Sequence, residues 1–424
     1  MATSALGNTQ TSGSTDPTVA RRARDRAQED LQGLNRRLFG ARVEVDDDGE
    51  ETWTQEHRCG SCGVPLGERV AIGRGTSRDG TQRGLFRGVE TCGSANVCLR
   101  CASKIRAEKA EHSGLVLRAH REAGGHAVLV TLTFSHSIDD QADEVIDDAL
   151  KAWSGFNSGR FKTIKNRWGI VDFIRVIETT HSWVNGLHPH HHVALLTDRP
   201  IGQDPDDPHE LLDFQADLYQ AWSAALETLG REAHYEIGVD VEPVRDEEGV
   251  GSYISKIELE LTRGDLKRGR GESRSMWQVG LDAADGCQRS AAVWADYVRA
   301  IRARRWISTS EGLWERFGIN DRTDDEIAED TGDEFEEVAL IDSDVYRAAL
   351  KADGPVLTEV RHLVEANAPV VVLALVLSRR LKRQVEIDFR AEDDGVPTLR
   401  WSDKVGAMAG SRSSTDSGGK EVLE

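Results

Sequence analysis

Three short runs of apolar and β-branched residues constrain the fold of this chain more than any other feature. They are HAVLVTLTFSH from His126, FIRVIETTH from Phe173 and HHVALLT from His191. Runs of this length and composition, bounded by polar turn residues, are typical of strands. Helical patterns lie between and after them, so the centre of the chain has the order β-α-β-β-α-β-α. We therefore predict an α+β fold with a central antiparallel sheet and flanking helices.

The flanks of this central region differ from it in composition. A Ser/Thr/Gly-rich lead precedes a charged amphipathic helix from Val19, and a cysteine-bearing segment follows. AHYEIGVDVEPV predicts a further strand, and SYISKIELELT has helical spacing. The predicted boundaries are 1–58 for the lead and charged helix, 59–110 for the cysteine-rich segment, 111–285 for the central sheet domain, 286–320 for a helical module, and 321–424 for an acidic C-terminal region with a disordered tail.

The net charge of −20 is unevenly distributed. Residues 321–424 carry −11 and residues 1–58 carry −3, which leaves −6 for residues 59–320. Within that stretch, Lys151–Arg175 holds six basic residues and one acid. A DNA-binding surface needs local positive potential rather than a basic total. The acidic total therefore does not exclude a nucleic acid partner.

Neither a membrane span nor an export signal is indicated. The chain has no run of about eighteen apolar residues, and its N-terminal sequence lacks the charged-then-apolar pattern of a signal peptide. We expect a cytoplasmic protein with no membrane partner. Six cysteines in 424 residues do not suggest a secreted disulfide scaffold, and clustered cysteines in a reducing compartment are more often zinc ligands.

Four of the cysteines form two CxxC knuckles, Cys59 with Cys62 and Cys98 with Cys101. Two such knuckles can hold Zn²⁺ tetrahedrally, so we predict a structural zinc site. The knuckles are 35 residues apart, which is long for a zinc ribbon, and Cys92 is a fifth candidate ligand. Unrelated reduced thiols are the alternative interpretation.

The tract GLHPHHHVALL places four histidines at the start of the third strand. Residues two apart point to the same face of a strand, so His190 and His192 project together and His191 points away. His188 joins them only if the strand continues through Pro189. Glu178, on the preceding strand, completes a set of two imidazoles and one carboxylate that suits a divalent cation. His181 is a weaker third ligand, and a solvated histidine-rich loop is the alternative.

A nucleophile for phosphoryl chemistry is available in GSYISKIELELT. On a helix, Tyr253, Lys256 and Glu260 lie on one face. An ammonium group one turn away and a nearby metal ion would both favour the phenolate. Taken alone, this pattern is far more typical of an ordinary half-buried helical tyrosine than of a nucleophile.

The order of these motifs resembles that of the HUH endonucleases. A TLT strand (VTLTFSH), a paired-histidine strand (HPHHH) and a Tyr-Lys helix (YISK) follow one another. The resemblance is to the rolling-circle plasmid replication initiators of high-GC Gram-positive bacteria, and it extends from the cysteine segment to about residue 320. In this chain the middle position of the histidine pair, normally apolar in the family, is His191.

The resemblance implies a nicking and joining enzyme whose nicking domain is the central sheet domain, with a DNA-associated module at 286–320. Tyr253 matches the nucleophile and Lys256 the lysine that follows it. His190 and His192 match the metal-binding pair, with Glu178 as the acidic residue before it, and the metal is Mg²⁺ or Mn²⁺. The implied partners are plasmid origin DNA, single-stranded or extruded at the nick site, and the host replication helicase and polymerase.

Two basic runs are candidates for contacts with the DNA backbone. The first contains Lys162, Lys165 and Arg167, and the second contains Lys267, Arg268 and Arg270. A solvated charged face is the alternative for both. The aromatic residues around the first run could stack on bases, although core packing is their more common role. They are Trp153, Phe156, Phe161 and Trp168.

Two other functions remain open. Another HUH nuclease, a relaxase or transposase, would share the metal site. A single helical tyrosine and the absence of a GxxxxGK[ST] phosphate-binding loop disfavour relaxases that use two tyrosines or carry a helicase. A non-catalytic, zinc-dependent DNA-binding regulator would use the cysteines alone.

Overall fold

The computed structural model describes residues 17–45, 51–76, 80–202, 207, 209–244, 273–330, 334–389 and 395–402. The chain divides into two compact units. Unit 1 contains Met1–Val64 and Glu90–Thr331, and unit 2 contains Pro65–Val89 and Gly332–Glu424. Each unit has its own buried apolar core. Among the described helices, none is both long and apolar enough to cross a membrane.

The described elements are numbered in chain order. The helices are α1 Pro17–Phe39, α2 Leu99–Glu122, α3 Ala142–Ser158, α4 Phe161–Trp168, α5 Glu210–Glu227, α6 Met276–Ala284, α7 Gln288–Ile301, α8 Leu313–Arg316, α9 Asp324–Glu329, α10 Ser343–Lys351, α11 Val356–Glu365 and α12 Val370–Leu381. The strands are β1 Arg42–Val45, β2 Glu51–Thr54, β3 Arg69–Thr76, β4 Gln82–Arg87, β5 His126–Leu132, β6 Ile170–Ser182, β7 Gly186–Thr197, β8 Val239–Pro243, β9 Arg274–Ser275, β10 Ile307–Thr309, β11 Phe335–Asp342, β12 Val385–Asp388 and β13 Thr398–Trp401.

The main sheet of unit 1 is antiparallel. Its strand order is β10-β6-β7-β5-β8, and β9 pairs with the end of β6. Strands β6 and β7 form a hairpin at the centre of this sheet. Helices pack against the sheet, so the prediction of an α+β fold with a central antiparallel sheet is confirmed.

The histidine tract lies entirely within β7, which continues through Pro189. Pro189 faces Thr179 on β6, whereas pairing between β5 and β7 stops at His191. Proline lacks an N–H, so it is tolerated where a strand has no neighbour on that side. Because the strand is unbroken, residues 188, 190 and 192 share one face of the sheet.

Helices α3, α4 and α5 cover the opposite face of the sheet. His191 lies in this interface, where its Nε2 is 2.8 Å from the carbonyl oxygen of Ala149 on α3. Its ring also contacts Trp153 and Trp222. The aromatic residues that were considered as base-stacking groups are all buried here, which confirms that they belong to the core. They are Trp153, Phe156, Phe161 and Trp168.

Two stretches differ from the sequence prediction. The strand predicted over AHYEIGVDVEPV forms only at Val239–Pro243, because the N–H groups of Ile237 and Gly238 both turn back to the carbonyl of His234. The region after Ile301 is not wholly helical. Ile307–Thr309 forms β10, which pairs with β6 and extends the main sheet.

Unit 2 explains the long spacing between the cysteine knuckles. Strands β3 and β4 pair with each other and join the sheet β12-β13-β11-β3-β4 with the C-terminal strands. Helices α10, α11 and α12 supply the rest of its core. In unit 1, two hydrogen bonds join Gly63 and Val64 to Glu90, so the chain leaves and returns at adjacent points. The cysteine segment therefore carries an inserted hairpin rather than a long loop.

Candidate metal centres

The β6–β7 hairpin places Glu178, His190 and His192 side by side. Glu178 is directly opposite His190, and Val176 is directly opposite His192. These side chains lie on the face of the sheet opposite α3, α4 and α5. We call the three residues the carboxylate–histidine cluster. They are part-exposed, with 18%, 11% and 20% of their respective side-chain surfaces accessible, so a small ligand can reach them from solvent.

The two imidazoles converge on a single carboxylate oxygen. Nε2 of His190 lies 3.3 Å from Oε2 of Glu178, and Nε2 of His192 lies 3.1 Å from the same atom. All three ligand atoms lie within 4.8 Å of one another. Neighbouring ligands of an octahedral Mg²⁺ with bonds of about 2.1 Å would be about 3 Å apart. The spacing fits a small divalent cation.

The contact made by Nδ1 of His190 favours a cation between its Nε2 and the Glu178 carboxylate. Its Nδ1 lies 3.3 Å from the carbonyl oxygen of His188. Because a carbonyl oxygen only accepts, this contact places the proton on Nδ1, and a neutral ring then turns its Nε2 lone pair toward the Glu178 carboxylate. Two facing lone pairs repel unless a proton or metal ion lies between them. The cluster therefore has the donor set of a metal site, and this tautomer of His190 would leave Nε2 free to bind a metal ion.

His192 is oriented in a similar way by a neighbouring strand. Its Nδ1 lies 3.3 Å from Oγ1 of Thr131 on β5, directly across from it in the sheet. A hydroxyl group can donate or accept, so this contact fixes the ring position without fixing the tautomer. Such contacts hold metal-binding histidines in place.

Two other histidines near the cluster, His188 and His181, lie on opposite faces of the sheet. His188 shares the face of the cluster, and its ring lies 5.3 Å from that of His190. Its two nitrogens contact Thr133 and His136. Burial lowers the pKa of His188 to about 3, and nearby His190 and His136 add to the effect. His181, the weaker alternative ligand, is an odd number of residues from Glu178 and therefore lies on the other face of β6.

A second cluster contains four buried cysteines, Cys62, Cys92, Cys98 and Cys101, whose sulfur atoms all lie within 4.8 Å of one another. We call it the cysteine cluster. The sulfur of Cys101 is 3.8 Å from those of Cys62 and Cys92, and the sulfurs of Cys62 and Cys98 are 3.5 Å apart. Zn–S bonds of about 2.3 Å give a tetrahedron with edges of about 3.8 Å, so the sulfurs fit zinc.

Cys59, which the knuckle pattern predicted as a ligand, is not one of these four. It lies on a short 3₁₀ turn at Arg58–Gly60 and is buried in the core. Cys92, the fifth candidate, takes the place in the cluster that was expected for Cys59. The chain re-enters unit 1 at Glu90, next to Gly63 and Val64, and this brings Cys92 beside Cys62.

Helix α1 supports the cysteine cluster from outside. The side-chain amide of Gln32 donates toward the sulfurs of Cys62 and Cys98, at 3.8 and 3.9 Å. One turn further on, Asn35 donates to the carbonyl of Val97 and accepts from the indole N–H of Trp294. N–H donors next to thiolate sulfurs offset part of their negative charge and orient the ligands.

The predicted nucleophile lies outside the described residues. Tyr253, Lys256 and the second basic run (Lys267, Arg268 and Arg270) all fall within 245–272, so their roles stay predictions. Tyr297 on α7 is not a rival nucleophile. It is buried, and burial raises the pKa of its phenol; the positive charge of Arg106 opposes this effect and the negative charge of Glu178 adds to it.

The first basic run lies on α4, on the face of the sheet away from the carboxylate–histidine cluster. Arg167 forms an ion pair with Asp217 at 2.8 Å. Lys165 is packed against Phe161 and Phe173, and burial lowers its pKa. Lys162 alone of the three is exposed without such contacts among the described residues.

Comparison with known proteins gives one informative relative. The chain is 25% identical to a protein named "Protein rep" from Streptomyces lividans over 299 aligned residues. The alignment covers 55% of this chain and 65% of that protein, so slightly less than two thirds of the relative is spanned. No family model matches the chain, and no solved structure matches it.

The sequence patterns did not assign a role to three residues of the two metal clusters and their surroundings. Thr131 is within the TLT motif, and only the pairing of β5 with β7 shows that it faces His192. Cys92 lies outside any CxxC pattern, although its proximity to Cys98 in the chain marked it as a candidate. Gln32 carried no signal, because it contacts the cysteines through tertiary packing of α1.

Proposed function

We propose that this protein nicks and rejoins one DNA strand at a plasmid origin to start rolling-circle replication, and that its fold is that of the HUH endonucleases. The observation that carries the proposal is the carboxylate–histidine cluster, two part-exposed imidazoles and one part-exposed carboxylate on one face of an antiparallel sheet. The similarity to Protein rep supports it. The order of the TLT, paired-histidine and Tyr-Lys motifs provides the link to nicking.

In the proposed reaction, Oη of Tyr253 attacks the scissile phosphorus. A Tyr–O–P bond forms and the bond from phosphorus to the 3′ oxygen breaks. The phenol proton leaves to solvent or a base, and the departing 3′ oxygen gains a proton. The products are a 5′-phosphotyrosine and a free 3′-OH that primes a polymerase. Because the phosphodiester energy is kept in the covalent link, the reverse step joins strands without ATP.

The chain's own groups would prepare this step in two ways. Lys256, three residues after Tyr253 in the sequence, would favour the phenolate through its positive charge. His190, His192 and Glu178 would hold a divalent cation such as Mg²⁺ or Mn²⁺, which when bound supplies positive charge next to the scissile phosphate. The contacts of His190 with the His188 carbonyl and of His192 with Thr131 keep the rings in place before substrate arrives.

The cysteine cluster has a structural role in this proposal. Its four thiols are buried and would hold Zn²⁺ with no open ligand position. Closed sites of this kind stabilise a fold rather than perform chemistry. Here zinc would fix the point where the inserted β3–β4 hairpin leaves and re-enters unit 1.

The proposed partners follow from the reaction. Origin DNA must be single-stranded or extruded at the nick, because attack requires an accessible phosphodiester. Lys162 on α4 is the basic residue of the first run best placed for a backbone contact, since it is exposed, whereas Arg167 is paired with Asp217. The host helicase and polymerase would act next on the free 3′ end.

A nicking assay tests the proposal. A supercoiled plasmid with the cognate origin is incubated with the protein and Mn²⁺ or Mg²⁺, and the open-circular product is quantified. We expect site-specific nicking that Tyr253→Phe abolishes. Tyr235→Phe is the matched control, because Tyr235 is an exposed tyrosine with 53% of its surface accessible, and it should nick normally.

Other outcomes would identify the competing functions. Binding to the origin without any nicking, in the wild-type protein with metal present, would support a zinc-dependent regulator. Nicking at a transfer origin or a transposon end, but not at the plasmid replication origin, would support a relaxase or transposase.

A further inference from the structure

The tip of the β6–β7 hairpin carries a stack of an arginine on a tryptophan. Trp183 follows directly after β6, and the guanidinium carbon of Arg289 on α7 lies 4.1 Å from the centre of its ring. The ring of His181 meets Trp183 edge-on at 4.6 Å. Trp183 is half-buried and Arg289 is exposed. Val184, the next residue in the turn, is 66% exposed, so this tip presents an aromatic and apolar surface to solvent.

Arg289 carries a charge that no acid among the described residues neutralises. No acidic side chain pairs with it among the residues that the structure describes, whereas nearby Arg274 forms an ion pair with Asp282. The indole ring holds the guanidinium plane in one orientation. An arginine fixed in this way offers both a flat face for stacking and N–H donors for an anion.

The stack lies on the opposite side of β6 from the carboxylate–histidine cluster, because Trp183 packs against His181. Trp183 is five residues beyond Glu178 on the same hairpin. At about 3.3 Å per residue, the distance along the strand is about 16 Å. A DNA strand with one phosphate at the cluster would reach the stack a few nucleotides away by passing over the hairpin tip.

We propose that Trp183 and Arg289 form a stacking platform for an unpaired base of single-stranded DNA. The base would lie on the outer face of the guanidinium, whose inner face rests on the indole, and the N–H groups of Arg289 would contact the adjacent phosphate. Bases within a duplex are already stacked on both sides, so the platform selects an unpaired strand. The inference rests on the proposed function, since it assigns part of the same site's substrate contact. Both residues act by positioning the strand, not by reacting with it.

The test compares two strands that have equal charge but differ in bases. Fluorescence anisotropy measures the binding of labelled dT20 and of a 20-unit abasic deoxyribose-phosphate strand, without added divalent metal. Wild-type protein should bind dT20 more tightly than the abasic strand. Trp183→Ala should weaken dT20 binding about five-fold or more and leave abasic binding nearly unchanged. Arg289→Ala should weaken both, because it removes a phosphate contact.

The controls separate stacking from folding. Arg118→Ala, which removes another exposed arginine of unit 1 on α2, should leave both affinities unchanged. Trp183→Phe keeps an aromatic face and should recover part of the preference for dT20. If Trp183→Ala weakened the binding of dT20 and of the abasic strand equally, Trp183 would have a purely structural role and the proposal would be overturned. An unchanged ratio of the two affinities, or a wild-type protein that binds both strands equally, would also overturn it.

The outcome is independent of cleavage. The anisotropy assay needs neither metal nor Tyr253, so a protein that never nicks can still show the base preference. Conversely, nicking with an unchanged affinity ratio in Trp183→Ala would leave the proposed function intact and contradict the platform.

Discussion

Glu178 and His190 are directly opposed on β6 and β7, and the Nε2 of the histidine lies 3.3 Å from Oε2 of the glutamate. With the Nδ1 proton of His190 directed to the carbonyl of His188, this contact joins two electron-rich atoms. The contact is favourable with a proton or a metal ion between these two atoms, and a bound metal ion would use both as ligands.

Glu178→Gln should weaken Mn²⁺ binding about 100-fold or more, because it removes the one negative ligand of the cluster. Isothermal titration calorimetry of the zinc-loaded protein with Mn²⁺ measures the change. Asp240→Asn is the matched control. Asp240 is an exposed acid on the same face of the sheet, two strands from His192 through Thr131. Similar Mn²⁺ affinities for Glu178→Gln and wild type would show that the cluster does not hold the metal.

Cys92→Ser should lose zinc, and Cys59→Ser should keep it, because Cys92 rather than Cys59 belongs to the cysteine cluster. Mass spectrometry of the purified proteins measures metal content, with roughly one zinc per chain expected for wild type. Both substitutions replace one buried sulfur with oxygen, so they are matched in burial and size. The reverse result, with zinc lost only from Cys59→Ser, would restore the two-knuckle site that the sequence pattern predicts.

His181 should remain neutral well below its usual pKa. Burial lowers the pKa of His181 to about 4, and the positive charges of Arg289 and Arg274 add to the effect. In the unfolded chain the pKa is about 6.5. The folded pKa is the lower one, so this contribution to stability is complete above about pH 6.5. It is lost as pH falls toward 4, at about 1.4 kcal/mol per pH unit.

Histidine-selective ¹³C NMR measures this titration directly. Arg289→Ala should raise the pKa of His181, because one repelling charge is removed. A wild-type inflection near pH 6.5, or no change in Arg289→Ala, would contradict the burial and the proximity of the two groups.

Lys162→Ala should reduce the salt dependence of DNA binding, whereas Arg167→Ala should not. Lys162 is exposed, but Arg167 is already paired with Asp217. Loss of one phosphate contact lowers the slope of log K against log salt by about 0.7 to 0.9. Binding of origin DNA at several salt concentrations gives the slope for each variant. Identical slopes for wild type and Lys162→Ala would remove α4 from the DNA surface.

The sequence predicted the parts of the fold that local patterns control. Strand runs and helical periodicity identified most elements of the main sheet, and the period of two along β7 separated His190 and His192 from His191. The turn after His234 was missed because two backbone hydrogen bonds override the alternating pattern there. β10 was missed because three residues give no detectable period, and only pairing with β6 makes them a strand.

Sequence reasoning was least able to predict features that arise from long-range packing. The β3–β4 hairpin belongs to unit 2 although it lies between two cysteine knuckles, and no local pattern reports this. The return of the chain at Glu90 decides that Cys92 rather than Cys59 joins the other thiols. Contacts of Gln32 and Thr131 with metal-ligand residues depend likewise on which elements pack together.

Identification of the covalent protein–DNA link tests the central claim most directly. Protein is incubated with origin DNA and Mn²⁺, the DNA is trimmed with nuclease, and tryptic peptides are analysed by mass spectrometry. The account predicts a nucleotide on Tyr253, in the tryptic peptide spanning residues 246–256, and no adduct in Tyr253→Phe. Nicking with the nucleotide on another residue, or with no covalent adduct at all, would contradict it.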